Sequence, residues 1–228
     1  MALVPLKSSP DLIDQVHDRL LAAVVDGTLA PGERLTQEGV AARLGVSRQP
    51  VSHALQILRR RGLLTEHGKR GLAVAPLDAQ RIRDLYQVRE VLEGLAAELA
   101  ARRVGAGRLT KQEQSHAEAA LAAGAGLGPR APIGDLVRAD VAFHAALHRL
   151  SGNPTIAETI AEEWPHFMRS MGTALKDVEI RRRVWSEHAA ILHAVFAAKF
   201  GEAGRLARSH MARAGEDAAR SIAQAIVA

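Results

Sequence analysis

Residues 45–64, GVSRQPVSHALQILRRRGLL, restrict the possible folds of this chain more than any other stretch. Ser47 is a good helix cap, and Pro50 falls in the first turn, where backbone N–H groups have no helical acceptor. At about 100° per residue, the apolar side chains share one narrow face, which consists of Val51, Ala54, Leu55 and Leu58. Such a helix packs on one side within a small domain and leaves its polar side, which ends in arginines, free for a partner.

The segments on either side of this helix predict the rest of a small domain. A first helix runs from about 11 to 26, the sequence LAPGERL makes a turn, and a second helix runs from Thr36 to Leu44. After Gly62, two short apolar runs enclose EHGKRG, a glycine-bracketed basic hairpin. Three short helices followed by a hairpin indicate a winged helix-turn-helix, whose third helix enters the DNA major groove.

Positive charge is concentrated in the same region. Residues 42–77 contain seven basic residues and one acidic residue, whereas residues 1–41 contain three basic and six acidic ones. A basic run at a helix end is often only solvated and stabilised by the helix dipole. Here the basic run occurs together with a turn between two helices, a polar tip of the third helix and a basic wing. This combination favours binding to the phosphate backbone of DNA.

The stretch LAPGERL...VAARLGVSRQPVSHALQILRRRGLL resembles the N-terminal domain of GntR-family transcription regulators. The resemblance implies that Arg48 and the tip of the third helix contact bases, and that the wing lies at the minor groove. Ser52 and His53 stand where the family usually has Arg-Glu, so the preferred operator can differ from the common one. The predicted DNA-contacting residues are Arg43, Ser47, Arg48, Gln49, Ser52, His53, Arg59, His67, Gly68 and Lys69.

After Pro76, the sequence shows only helical periodicity. Breaks rich in glycine and proline separate about six helical segments, near 79–104, 108–123, 133–150, 155–174, 177–199 and 201–226. We therefore predict a mainly α fold with two domains. Residues 1–76 form a winged helix-turn-helix DNA-binding domain, and residues 77–228 form an all-helical bundle that binds an effector and mediates dimerisation.

Four polar residues lie within the apolar faces of the bundle helices. Asp140 and His144 are one turn apart on the same face, and His188 and His210 each lie among apolar residues of later helices. A buried carboxylate without a partner is costly. Any one of these histidines, taken alone, is explained as a hydrogen-bonded core side chain. Four ligand-type residues on three inward faces instead favour one site for a divalent cation.

The segments DVAFH, EHAAILHAVFAAKFGEA and SHM resemble the metal-binding version of the FCD domain, the effector domain of the FadR-like branch of GntR regulators. The resemblance implies that one divalent metal ion is bound by Asp140, His144, His188 and His210. Zinc is favoured for this ligand set, and nickel, iron and manganese are alternatives. His148 and His193 lie off this set, and we interpret them as structural or surface residues.

Arg89 is a further polar residue within an apolar helix face. On that spacing its guanidinium points inward and needs a carboxylate, which Glu93 can supply from the next turn. The alternative, implied by the family resemblance, is an organic acid bound beside the metal. The predicted effector-binding residues are Arg89, Asn153, His166 and Arg169.

The composition excludes other classes of protein. Cysteine is absent, which removes disulfides and thiolate sites and fits the reducing cytoplasm. The N-terminal residues do not resemble a signal peptide, and no stretch reaches the roughly 20 apolar residues that span a membrane. We expect a cytoplasmic protein without a membrane partner.

Together these features predict a homodimeric transcription regulator, by hypothesis a repressor, that binds double-stranded operator DNA and a small carboxylate effector. A metal-dependent hydrolase is the alternative, because a metal ion with open coordination positions can activate water. Against it, the sequence shows no general base near the predicted ligands, and an enzyme has no use for the basic residues of 42–77. A nucleoid protein that binds DNA without sequence preference is a third interpretation. Such a protein has no need of a buried effector site, so this interpretation does not explain the polar residues of the bundle.

Overall fold

The computed structural model describes residues 10–68 and 71–227. The chain divides into two compact units between Pro76 and Leu77. Each unit has its own hydrophobic core.

Within the described residues, the first unit contains three helices and three short strands. Helix α1 spans Pro10–Val25, α2 spans Gln37–Leu44 and α3 spans Arg48–Arg60, while the strands are β1 (Arg34–Leu35), β2 (Leu64–His67) and β3 (Gly71–Val74). The strands are antiparallel in the order β1-β3-β2. The predicted winged helix-turn-helix is confirmed.

Strand β1 lies within the stretch LAPGERL, for which only a turn is predicted. Arg34 pairs with Ala73 and Leu35 pairs with Leu72, so the wing hairpin gains a third strand. A strand of two residues is too short to show an alternating pattern in the sequence.

Helix α3 is held against α1 by the apolar face that its periodicity predicts. Val51 and Leu58 are fully buried and pack in one cluster with Leu20 of α1. At the end of α2, Gly45 has a φ of +67°, a left-handed conformation that glycine adopts without strain. The chain therefore turns sharply into α3, which leaves the polar face of that helix at the surface.

Within the described residues, the second unit consists of seven helices. They are α4 (Ala79–Gly105), α5 (Lys111–Ala125), α6 (Ile133–Ser151), α7 (Pro154–Ala161), α8 (Trp164–Ala174), α9 (Val178–Phe196) and α10 (Phe200–Val227). The predicted all-helical bundle is confirmed. In the part of the chain that the structure describes, no helix is both long enough and apolar enough to cross a membrane.

The predicted segment 155–174 is two helices, α7 and α8, instead of one. Helix α7 ends at Ala161, and α8 begins at Trp164, directly before Pro165. Proline lacks the N–H that an interior helical residue donates, so it is accommodated in the first turn of a new helix. Phe167 and Met171 of this new helix then pack into the core.

Helix α10 packs closely along α4, and a small residue allows the approach. A Cβ at Gly215 of α10 would lie 2.7 Å from the Cβ of Tyr86 on α4, which is shorter than ordinary van der Waals contact. A larger residue at this position would push the two helices apart. The inward face of α4 is thereby enclosed, and its Arg89 and Glu93 are buried in the bundle.

Candidate metal centre and nucleic-acid interface

Three helices contribute the residues of a buried polar cluster in the second unit. Asp140 and His144 lie one turn apart on α6, His188 lies on α9, and His210 lies on α10. All four side chains are buried. One ring nitrogen of each histidine lies within 4.8 Å of the others. The three helix faces that are predicted to point inward therefore meet at one place.

Asp140 lies beside two of these histidines. Its carboxylate oxygens lie 3.7 Å from His144 Nε2 and 3.7 Å from His188 Nε2. His188 Nε2 in turn lies 3.0 Å from His210 Nε2. Imidazole nitrogens and a carboxylate form a donor set that suits zinc and other divalent transition metals. The structure thus brings together the four residues predicted as metal ligands.

Two glutamates contact the outer nitrogens of the histidine rings. His210 Nδ1 lies 2.6 Å from Glu187 Oε2, and His144 Nδ1 lies 3.1 Å from Glu93 Oε2. A carboxylate at Nδ1 favours the proton there and leaves Nε2 as the lone-pair donor. Glu187 is absent from the sequence prediction, because it lies on a different helix from His210 and a single sequence does not show which helices are neighbours.

Burial favours the neutral form of His144 and His188, which is the form that binds metals. Burial lowers the pKa of His188 well below its ordinary value, and the charges of His210 and His144 lower it further. Burial also lowers the pKa of His144, although Glu93 opposes this effect.

Hydrogen bonds within the protein do not satisfy every polar atom of this buried cluster. Among the described residues, His144 Nε2 is buried without a hydrogen-bond partner, and so is His188 Nδ1. A buried polar atom without a partner loses its hydration and gains nothing in return. A metal ion would coordinate His144 Nε2, so the residues present fit a divalent cation.

Arg89 and Glu93 form a buried ion pair on α4. Arg89 Nε lies 3.1 Å from Glu93 Oε1, and each side chain is 1% exposed. Glu93 Oε1 also lies 3.2 Å from His148 Nε2, which gives this buried histidine a structural contact. Burial acts to raise the pKa of Glu93, but the charges of His144, His148 and Arg89 outweigh burial and hold the pKa well below its ordinary value. Glu93 is therefore ionised, and it joins Arg89 to the candidate ligand His144.

The pair with Glu93 occupies only the Nε atom of the Arg89 guanidinium. Arg89 Nη1 and Nη2 are buried, and neither has a hydrogen-bond partner among the described residues. The guanidinium carbon lies 4.7 Å from the ring centre of Trp164 and 4.8 Å from that of Phe167. These aromatic rings hold the planar cation in position. Two unpaired amino groups on a fixed guanidinium match the two oxygens of a carboxylate.

Arg89, Asp140 and His210 line the same cavity, whose volume is about 30 Å³. The other residues predicted to bind the effector are not among the described residues that line it. Asn153 caps α7, where its side-chain oxygen accepts a hydrogen bond from the Thr155 N–H. His166 and Arg169 are buried in α8. The roles of Asn153, His166 and Arg169 in effector binding stay predictions.

In the first unit, the predicted DNA-contacting residues surround α3. Gln49 and His53 are exposed on its polar face. Ser52 is half-buried, and its hydroxyl accepts a hydrogen bond of 3.2 Å from the Gln37 side chain of α2. Ser47 occupies the N-cap position, but its side chain does not make the capping hydrogen bond. The polar face of α3 is therefore available to a partner.

The wing follows α3 in the chain. His67 ends β2, and Gly68 follows it with a φ of +63°, a conformation that suits glycine in a tight hairpin. Lys69, the remaining predicted contact of the wing, lies outside the described residues.

Three exposed arginines on or near α3 are paired with acidic residues in the free protein. Arg48 Nη1 lies 2.9 Å from Glu38 Oε1, and Arg59 Nη1 lies 2.8 Å from Glu66 Oε1. Arg43, at the end of α2, makes a longer pair of 3.7 Å. Exposed pairs of this kind contribute about 0–1 kcal/mol, so their arginines can exchange them for DNA at little cost.

Comparison with known proteins assigns both units to protein families. Residues 12–74 match the gntR family of bacterial regulatory proteins, and residues 84–213 match the FCD domain. The chain is also 30% identical, over 210 residues, to an HTH-type transcriptional regulator in an unstable DNA locus of Streptomyces ambofaciens. That alignment covers 90% of this chain and 84% of the relative. The chain belongs to the GntR family.

Two further comparisons agree with this assignment. The HTH-type transcriptional regulator YdhC of Bacillus subtilis is 35% identical over 85 residues, which cover 37% of this GntR protein and 38% of YdhC. The crystal structure of a GntR protein from Rhodococcus sp. RHA1 superposes with a TM-score of 0.73 at 26% identity, and covers 93% of this chain and 98% of that chain.

A GntR protein with these two parts is a DNA-binding transcription regulator and not an enzyme. The family predicted from the sequence is confirmed, and the hydrolase alternative is not supported. The FCD match includes α6, α9, most of α4 and the first half of α10, which contain the histidine cluster and Arg89. The buried cluster thus lies in the ligand-binding domain of the regulator.

Proposed function

We propose that this GntR regulator binds operator DNA in the cytoplasm and that a small carboxylate, bound beside a divalent metal ion, controls its affinity for the operator. One observation supports this most directly. Arg89, with its two unpaired amino groups, lines the same cavity as Asp140 and His210. A carboxylate there meets a fixed cation on one side and candidate metal ligands on the other.

Each residue of the site has a distinct role in this proposal. The ion, for which zinc is favoured and nickel, iron and manganese are alternatives, would be held by Asp140, His144, His188 and His210. When bound, it supplies positive charge and open coordination positions. Arg89 binds the carboxylate of the effector through its amino groups. Glu93 holds Arg89 through Nε, which leaves the two amino groups for the effector.

The size of a single recognition helix favours binding of the operator by two copies of the protein. One recognition helix contacts only a few base pairs, so a single operator is recognised well when two helices bind it together. We infer a homodimer that places two copies of α3 on an inverted repeat. In this arrangement Arg48, exposed at the tip of α3, contacts a base, while Arg59 and Lys69 contact phosphates.

Control of operator binding requires an effector that binds one arrangement of the protein more tightly than another. Helix α4 carries Arg89 and begins at Ala79, close in sequence to the division at Pro76. The candidate metal ligands lie on other helices of the bundle. A carboxylate between metal and Arg89 therefore ties the helix that follows the DNA-binding unit to the bundle interior. We infer that this weakens operator binding, as in an induced repressor.

The test of this function is operator binding by the full-length protein, measured by fluorescence anisotropy with a labelled promoter fragment. Zinc and short carboxylates are added separately and together, and a random DNA fragment serves as the control. We expect operator affinity to fall by about 5- to 150-fold when both are present. An operator affinity that is indifferent to zinc and to every carboxylate contradicts the proposal. Mass spectrometry of material that co-purifies with the protein identifies the natural acid.

The assignment of the DNA contacts gives a separate prediction. Arg48→Ala is expected to weaken operator binding by roughly 1–3 kcal/mol and to relax specificity at one base pair. Its exposed pair with Glu38 contributes little, so the loss reports the DNA contact. Arg59→Ala is expected to weaken binding to all DNA and to reduce the salt slope by about 0.9.

Arg182→Ala is the matched control for these variants, because Arg182 also forms an exposed ion pair, with Glu179, but lies in the second unit and is not among the proposed DNA contacts. Its operator affinity should equal that of the wild type. If Arg48→Ala weakens operator and random DNA by the same factor, Arg48 does not read a base.

A further inference from the structure

The three candidate histidine ligands differ in what contacts the Nδ1 atom of each ring. His210 Nδ1 lies 2.6 Å from Glu187 Oε2, which is a hydrogen-bond distance. His144 Nδ1 lies 3.1 Å from Glu93 Oε2, but this contact lacks the geometry of a hydrogen bond. His188 Nδ1 has no hydrogen-bond partner among the described residues. Within the described part of the chain, His210 is therefore the candidate ligand whose ring a carboxylate holds by a hydrogen bond.

The carboxylate of Glu187 is itself held through its other oxygen. Glu187 Oε1 accepts a hydrogen bond of 2.8 Å from Arg213 Nε, and Arg183 Nε lies 3.4 Å from the same oxygen. Arg213 Nη1 also donates a hydrogen bond of 2.7 Å to the Ser209 hydroxyl. Because one oxygen faces Arg213 and the other faces His210, the carboxylate cannot turn without breaking one of these contacts.

These contacts connect two helices that supply candidate ligands. Glu187 lies on α9, directly before His188, whereas His210 and Arg213 lie on α10. A hydrogen bond to one nitrogen of an imidazole fixes the orientation of the ring and directs the lone pair of the other nitrogen. A residue of α9 thus fixes the direction in which a ring on α10 presents Nε2.

We propose that Glu187 is a positioning residue of the metal centre and that Arg213 holds Glu187 in place. Through the hydrogen bond to Nδ1, Glu187 orients the His210 ring so that Nε2 presents its lone pair to a divalent cation. This inference rests on the proposed function, because it requires the metal site. It adds two residues that control metal affinity and do not bind the metal, so their removal weakens metal binding while every candidate ligand is retained.

The zinc affinity of the full-length protein, measured by competition with a chromophoric chelator, tests the role of Glu187. Glu187→Ala is expected to bind zinc about 10- to 100-fold more weakly than the wild type. Glu187→Gln keeps an oxygen that accepts a hydrogen bond from Nδ1–H, so its loss should be roughly fivefold or less. Glu179→Ala is the control, because Glu179 is exposed on the same helix and pairs with Arg182, and it should bind zinc like the wild type.

The outcomes separate this inference from the proposed function. A folded Glu187→Ala protein with wild-type zinc affinity overturns the inference and leaves the proposed metal site standing. A wild-type protein that binds no zinc overturns both. If Glu187→Gln loses as much affinity as Glu187→Ala, the hydrogen bond does not position His210.

The double variant Glu187→Ala/Arg213→Ala tests whether Arg213 acts through Glu187. Arg213→Ala alone should weaken zinc binding by less than Glu187→Ala does. The double variant should bind zinc as tightly as Glu187→Ala, because Arg213 has no remaining partner through which to act. Losses that simply add in the double variant refute this role of Arg213.

Nuclear magnetic resonance separates the orientation of His210 from a general loosening of the fold. In zinc-loaded protein with isotope-labelled histidine rings, the Nδ1–H proton of His210 is expected to resonate downfield and to exchange slowly with water. The reason is its short hydrogen bond to a carboxylate. The resonance should persist in Glu187→Gln and disappear in Glu187→Ala, while the circular dichroism spectrum stays unchanged. An identical resonance in Glu187→Ala refutes the proposed hydrogen bond.

Discussion

The His188→Ala protein is expected to lose more than about 100-fold in affinity for zinc. Removal of a residue that only supports a ligand typically costs 10- to 100-fold, and His188 is proposed to bind the metal directly. Its imidazole is fully buried, and Nε2 lies within 3.0 Å of His210 Nε2 and 3.7 Å of Asp140. Competition with a chromophoric chelator measures the zinc affinity of each variant.

A loss of packing must be separated from a loss of a ligand in this experiment. The His188 ring stacks on Phe143, with ring centres 4.0 Å apart, so alanine also leaves a void. His188→Phe retains an aromatic ring without a donor atom and should show the same loss of zinc. His193→Ala, exposed on the same helix, should bind zinc like the wild type. Tight zinc binding by a folded His188→Phe protein would exclude His188 as a ligand.

The Arg89→Met protein is expected to unfold with a free energy about 3–5 kcal/mol lower than that of the wild type. The substitution leaves Glu93 in the interior without the guanidinium that pairs with it. A buried charge that loses its partner keeps its full desolvation cost, whereas methionine retains most of the volume of the side chain. Urea denaturation of the metal-free protein, monitored by circular dichroism, gives the free energy of unfolding.

Helix α4 supplies a matched control for this measurement. Arg102 and Glu98 form a pair with the same spacing on the same helix, but both are partly exposed. Arg102→Met should therefore lower the free energy of unfolding by less than about 1 kcal/mol. In the double variant Arg89→Met/Glu93→Leu, much of the loss should be recovered, because no buried charge is left from the pair. If Arg89→Met and Arg102→Met lower the free energy of unfolding equally, burial does not increase the cost of removing one partner of the ion pair.

The two unpaired amino groups of Arg89 reconcile two interpretations that the sequence leaves open. The spacing of Arg89 and Glu93 predicts an ion pair, and the family resemblance implies an organic acid on the same arginine. The structure contains the pair through Nε and leaves Nη1 and Nη2 without partners among the described residues. One guanidinium can thus pair with Glu93 and bind a ligand, because its donors point in different directions.

Most of the fold follows from local signals in the sequence. Helix α3 and its buried face are predicted by the position of Pro50 and by the periodicity of Val51 to Leu58, which depend only on near neighbours. The same periodicity places Asp140 and His188 on inward faces. The split between α7 and α8 has a local signal as well, since Pro165 is visible in the sequence, but the apolar pattern continues across it.

The sequence by itself determined the winged helix-turn-helix, the helical bundle and the inward direction of the candidate ligands, because helix periodicity assigns each residue to a face. Only the tertiary structure decided which faces meet. The contact between Glu187 and His210 joins α9 to α10, and the contact between Glu93 and His148 joins α4 to α6. These contacts, and the cavity beside Arg89, depend on how closely the helices approach. That distance is set by packing between residues far apart in the chain, such as Gly215 against Tyr86, which no local pattern encodes.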